Sequence, residues 1–381
     1  MILISGVPLR SSPGTTSPTS EAQAPPAGPG PEAAPPATAF AMPLTVAVLA
    51  AVLAVSVLLA IGLGAAAVPP GETLRYLWAA VTGGSIQAGD VTAYQIIWQV
   101  RTPRVLLAVL VGAGLSVVGV AIQAMVRNAL ADPFVLGVSS GASAGAVLVG
   151  VTGALAAFGI YAISAGAFLG ALLVSALVYL AARGAGGLTP LRLVLTGVAM
   201  AFGFQAVMSL IVYFAPDGES TSTVLFWSMG GFGAATWGAL PVVAAVTLVT
   251  VVLLRRLGRS LDVLALGDET SASLGVDTVR LRRGLFVLTS LATGAMVAVS
   301  GAIGFVGLVM PHLVRLWTGA AHVRVLTVAP LAGAIFMVWA DLVARTLVAP
   351  RELPLGVITA LVGVPVFVVL LRRRGYLFGG R

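Results

Sequence analysis

The sequence predicts an all-α, polytopic membrane protein with about ten transmembrane helices. Hydrophobic residues make up 59% of the chain and charged residues only 9%. Mean hydropathy is +1.05. A soluble domain with a polar surface does not have this composition. Apolar runs recur at lengths of roughly 20 residues, enough for a helix to cross about 30 Å of hydrocarbon. Arginines gather in alternate connections between these runs, as expected of a chain whose topology is set by positive charge.

Residues 1–42 hold nine of the 22 prolines and are otherwise rich in Ser, Thr, Ala and Gly. Such a segment buries too little apolar surface to fold, so it is expected to be a disordered cytoplasmic tail. It lacks the basic start and continuous apolar run of a signal peptide; Met42 is a second candidate start. The transmembrane domain is assigned to 43–374, followed by a cytoplasmic tail at 375–381. Its first span is expected at 43–66, followed by a loop carrying Glu72, Arg75 and Asp90. Further spans are expected at 104–126, 134–153, 160–182, 191–214, 239–255, 284–301, 303–319, 325–347 and 354–371. The break Ser300-Gly301-Ala302-Ile303-Gly304 divides the seventh from the eighth. Ten spans put both termini on one side. On that count 16 of the 21 arginines fall on the side of the termini and five, Arg75, Arg101, Arg104, Arg345 and Arg351, on the other. The positive-inside rule then makes the side of the termini cytoplasmic.

The longest charged connection, 256–283, lies on the cytoplasmic side. It cannot sit in hydrocarbon, yet it carries two apolar patches: Leu261, Val263, Leu264 and Leu266, then Ala272, Leu274 and Val276. Gly267 and Gly275 punctuate them. Asp268-Glu269-Thr270-Ser271 reads as a helix start, with acids at the positive end of the dipole. By composition this is either a solvated loop or an amphipathic helical pair suited to docking a soluble partner.

Several chemistries are excluded. The chain has no Cys, hence no disulfide and no thiolate chemistry. All 21 basic residues are Arg, so a P-loop, which needs its Lys, is absent, and Schiff-base chemistry with it. The two His, His312 and His322, form no HExxH pattern, and no metal site is expected. The +8 charge is dispersed among membrane segments and implies no nucleic-acid partner. Asp341 and Arg345 are four apart on one helix face and can pair, leaving two readings: a self-neutralising pair, or an arginine held outward for an acidic partner. Gly137, Gly141 and Gly145 recur every fourth residue, as do Gly166 and Gly170, a spacing that lets helices approach closely in lipid. Uncharged polar residues in the spans, Gln123, Ser139 and Ser140 among them, either line a wet pathway or bond back to helix backbone.

Taken together, RTPRVLLAVLVGAGLSVVGVAIQAMVRNALADPFVLGVSSGASAG (101–145), LVLTGVAM (193–200), FWSMGGFG (226–233), LALGDETSASLGV (264–276), SGAIGFVGLVMPHLVRL (300–316), ADLVAR (340–345) and ELPLGVITALVGVPVFVVLL (352–371) resemble the FecCD-type permeases. These are the membrane subunits of ABC importers for iron-siderophores, haem and cobalamin. The resemblance runs from about residue 43 to 374.

It implies a cobalamin-importer-permease-like fold of the type II importers, in the plasma membrane of a bacterium. Two permease subunits, identical or paralogous, would flank a central path. A cytoplasmic ATPase dimer would bind ATP and Mg and do the hydrolysis, so this chain is no enzyme and carries no cofactor. An extracytoplasmic substrate-binding protein would dock on Arg101, Arg104 and Arg345. The coupling element would comprise Leu264, Leu266, Gly267, Asp268, Glu269, Ala272, Leu274 and Gly275. The family's small polar gate pair falls on Thr189 and Pro190, where Pro departs from the pattern. The expected cargo is a ferric siderophore, with haem or cobalamin as alternatives within the family. An ion-driven secondary transporter is the rival from another class; it needs ionisable residues near the midplane or an inverted repeat, and neither is evident.

Overall fold

The computed structural model describes residues 41–64, 67–184, 187–215 and 227–372. The expected N-terminal tail up to residue 40, the polar loop at 216–223, Phe226 and the C-terminal tail therefore lie outside the described residues. The elements are α1 (Ala41–Gly62), α2 (Pro70–Thr82), α3 (Val91–Gln95), α4 (Thr102–Val126), α5 (Val138–Thr152), α6 (Ala162–Ala182), a two-residue hairpin of β1 (Arg183–Gly184) and β2 (Gly187–Leu188), α7 (Pro190–Tyr213), α8 (Leu240–Arg256), α9 (Gly258–Ala265), α10 (Asp268–Ser273), α11 (Thr278–Ser300), α12 (Val306–Thr318), α13 (His322–Thr346) and α14 (Leu355–Arg372).

Each of the ten apolar segments is helical, and the fold is all-α apart from the hairpin. Among the described residues six helices can cross a membrane by length and composition, or seven if α8 and α9, bent by 59° at their junction, count as one span. The remaining segments are shorter. α5 has 15 residues and α12 has 13, about 20 Å at 1.5 Å per residue. Within the expected span 303–319 the helix begins only at Val306, after a non-helical stretch. Polar backbone is tolerated at membrane depth only where protein encloses it. Here Gly301 turns with φ 66°, and the Ser300 carbonyl accepts from the Gly231 amide at 2.8 Å.

α4 is the central post, buried along nearly its whole length. It packs on α8, α11, α12 and α13. The glycine spacing has the consequence expected of it: a Cβ on Gly145 would collide with the Gly166 carbonyl, and one on Gly170 with that of Gly141. α5 and α6 therefore meet backbone to backbone, as small residues at this spacing permit in lipid.

The predicted loop carrying Glu72, Arg75 and Asp90 is a correction. Residues 70–82 form α2, with Pro70 at its start and Gly83 as a left-handed C-cap. Thr73, Tyr76 and Ala79 are buried, while Leu74, Trp78 and Val81 face outward. At 13 residues with two charges, α2 is too short and too polar to register as a span. Its helical period therefore went unread.

Candidate functional site

Two polar clusters mark the ends of α4. Its 25 residues separate them by about 35 Å, the thickness of a bilayer core and part of its interfaces.

At the N-terminal end stand Arg101, Arg104 and Arg345, each buried at 7% exposure. Arg104 donates from Nε to both oxygens of Asp341, at 2.9 and 3.2 Å, and from Nη1 to Glu352 at 2.7 Å. Arg345 pairs with Asp341 at 3.4 Å and donates to the Ala60 carbonyl. Arg101 donates to the carbonyls of Ile61 and Gly62, at 3.2 and 2.8 Å. The last carbonyls of a helix have no intrahelical partner and sit at the negative end of its dipole. Arg101 and Arg345 therefore cap α1, while Asp341 neutralises Arg104 and Arg345. The three arginines do gather at one end, as expected, but their side chains point into the protein. The exposed cations beside them are Arg75, paired with Asp90 at 2.6 Å, and Arg351.

At the other end lies the charged connection 256–283, in which α9 and α10 form an amphipathic helical pair. Leu261 and Leu264 are fully buried and fix α9 against α4 and α13. Asp262 accepts from the backbone N–H of His322 at 2.9 Å. Gly267, at φ 106°, turns the chain into α10. Leu266 and Leu274 are then left 62% and 59% exposed, beside exposed Glu269, Ala272 and Gly275. Leu264 is thus an anchor rather than part of the presented face. Arg282 bonds Asp268 at 2.7 Å and holds its carboxyl below the usual carboxylate range, with a smaller Coulombic contribution from Arg127.

The candidate pathway residues do not form one site. Gln123 is fully buried. Its amide nitrogen donates to the carbonyls of Gly307 and Leu308, both at 3.3 Å, and its oxygen accepts from Arg315 at 2.5 Å. Pro311 has no N–H to give the carbonyl four residues back, Gly307; Gln123 supplies it. Ser140 donates to the Gly137 carbonyl at 2.8 Å, and Ser139 is buried beside it. Thr189 and Pro190 are half-buried where β2 passes into α7. None of these five lines the apolar cavity beside α14. That cavity, about 900 Å³, is walled by apolar side chains of Leu130, Phe134, Met229, Phe305, Leu308 and Leu361, with the Asp132 carboxylate on its surface. Asp132 accepts from the Phe134 N–H at 3.0 Å, and burial pushes its pKa up to about 6.

Residues 52–373 match the model of the FecCD transport family. The chain belongs to the FecCD transport family. It is a multi-span permease of the ABC importer class. It is 39% identical over 282 residues to the hemin transport system permease HmuU of Yersinia pestis, covering 73% of this chain and 84% of that one. It is 36% identical over 329 residues to the vitamin B12 import permease BtuC of Klebsiella pneumoniae, covering 86% and 93%. A solved structure, an inward-facing metal-chelate type ABC transporter, superposes with a TM-score of 0.73 at 32% identity, covering 87% of this chain and 99% of that one. The FecCD chain also contains functional candidates that the sequence reading passed over. Arg282 read only as one more loop arginine and Glu352 only as part of a matching fragment. For Asp132, the signal available was an acid inside an otherwise apolar stretch, ALADPFVLG.

Proposed function

We propose that this chain is the membrane subunit of an importer for ferric siderophores, working with partners that do the hydrolysis and the capture. The observation that carries it is the α9–α10 pair: two leucines anchor it to the bundle and two more are held out, beyond a charged surface that must lie in water. A helical pair so fixed transmits force from whatever grips Leu266 and Leu274. The gripping partner is an ATPase dimer that binds ATP and Mg, since this chain has no Lys for a phosphate loop. A second permease subunit, identical or paralogous, completes the pathway. The largely exposed apolar face of α7, with Leu191, Leu195 and Phe202 outward, is available for it.

At the opposite end an extracytoplasmic binding protein docks. Because Arg101, Arg104 and Arg345 are turned inward, their part in docking is to set the shape of the end face. Arg351, Glu352 and α2 are the groups that reach the partner. The apolar cavity suits passage of a large chelate without tight binding. Haem or cobalamin is the second reading of the cargo, favoured by the substrates named for HmuU and BtuC. Ion-driven transport is disfavoured because Asp341, the acid buried within α13, is already neutralised by two arginines.

The test is reconstitution in proteoliposomes with the neighbouring ATPase and binding protein. ATP-dependent uptake of a ferric siderophore, lost when Leu266→Asp and Leu274→Asp are combined, supports the proposal. Uptake of haem or cobalamin alone replaces the cargo, and uptake that follows an ion gradient without ATP rejects the importer reading.

A further inference from the structure

Arg282, in the second turn of α11, is 2% exposed, and all three of its guanidinium nitrogens have partners. Nη2 donates to Asp268 Oδ1 at 2.7 Å, Nη1 to the Leu188 carbonyl at 2.9 Å, and Nε to the Met125 carbonyl at 3.3 Å. These acceptors belong to three different elements: the first residue of α10, the end of β2, and the last turn of α4. Thr189 and Pro190 follow Leu188 directly and begin α7. The hairpin before them is slight, with two residue pairs, Arg183 with Leu188 and Gly184 with Gly187. It rests on α11, where a Cβ on Gly187 would stand 2.9 Å from Val279 Cγ1.

A buried ion pair is a weak source of stability, because apolar side chains of similar volume do as well. What a guanidinium adds is geometry: a planar fork with donors in fixed directions, each bond strengthened by charge. Here the fork holds one acceptor on the exposed coupling pair and two at the cytoplasmic ends of α4 and of the hairpin leading to α7. Asp268 pairs with Arg282 and, at 4.0 Å, with Arg127. Its described route to the hairpin runs through Arg282.

We propose that Arg282 is the positioning residue that carries movement of the coupling pair to the start of α7 at Thr189 and Pro190. This rests on the importer reading. A displacement of α10 moves the Asp268 carboxylate and draws the guanidinium with it. The Leu188 carbonyl follows, so the hairpin and the first turn of α7 shift in register with the coupling pair. Packing alone would let them slip.

The experiment has two arms. In the first, hydrogen exchange is followed in the full chain in nanodiscs, without partners. Asp268→Asn, a mild change at a half-exposed site, is expected to speed exchange at residues 187–193 about tenfold, the effect of one charge-assisted hydrogen bond. Arg282→Gln should do at least as much, and the double variant no more than Arg282→Gln. Arg282→Lys keeps the charge without the fork and should fall between; it carries the test if Arg282→Gln does not fold. Exchange changes confined to 267–276 in Asp268→Asn overturn the proposal. In the second arm, the complex with its ATPase is reconstituted, and ATP consumed per molecule transported is expected to rise in Asp268→Asn and Arg282→Lys at unchanged KM for ATP. An unchanged ratio overturns the coupling role. If exchange is transmitted in the first arm but no ATPase associates in the second, the importer reading fails while the link through Arg282 stands.

Discussion

Arg104 shows how burial decides what a charged residue does. Its guanidinium binds buried Asp341 and the more exposed Glu352 at once, and removing it leaves the buried Asp341 carboxylate with Arg345 as its remaining ion-pair partner. Arg104→Gln is therefore expected to lower stability by about 3–5 kcal/mol. Arg351→Gln, at an exposed site, should change it by no more than about 0.5 kcal/mol. Thermal unfolding in detergent compares the two; equal melting temperatures would mean the network holds nothing. Asp132 gives a pH signature. Its folded pKa of about 6 lies above the ordinary 3.8 because burial disfavours the carboxylate. The folded state thus holds this proton more tightly than the unfolded state. The associated stability is fully present below about pH 4 and is lost as pH rises through 6, a change of about 3 kcal/mol at most. Asp132→Asn, which keeps an oxygen for the Phe134 N–H, should flatten that slope and stabilise the chain at pH 8. A slope unchanged in Asp132→Asn assigns the titration to another group.

Among the elements, α12 is the one whose helix needs help from outside. Pro311 interrupts its hydrogen bonding, and Gln123 of α4 makes good the loss at Gly307. Gln123→Leu should cost about 1–3 kcal/mol, the penalty for orphaning buried polar groups. In a Pro311→Ala background the helix regains its own N–H donor, and the same substitution should cost less. Additive losses in a double-mutant cycle would show that Gln123 does not serve that carbonyl. The glycines of α5 and α6 were legible at this scale because spacing is a local property. α2 was legible in principle, from buried Thr73, Tyr76 and Ala79 at helical intervals, but a search for runs of about 20 apolar residues passes over it.

For the whole molecule, the arginine count predicts the orientation. The natural absence of Cys makes this simple to measure with single-cysteine variants. Glu269→Cys, exposed on α10, should react with an impermeant maleimide only from the cytoplasmic side. Gln87→Cys, in the exposed connection after α2, should react only from outside. Labelling with the two sides exchanged would reverse the orientation, and labelling of both from one side would break the ten-segment topology.

Composition and periodicity were enough to determine the membrane class, the order of the apolar helices, the short helical pair within the charged connection 256–283 and the exclusion of a phosphate loop. All of these follow from stretches of 20 to 30 neighbouring residues, over which hydrophobic length and charge are summed locally. The tertiary structure alone decided which polar groups face water. Arg104 finds its partners 237 and 248 residues away, and Gln123 finds its own 184 residues away. Whether an arginine grips a partner protein or caps a helix depends on what packs over it. That is a property of contacts between distant segments, carried by no local pattern.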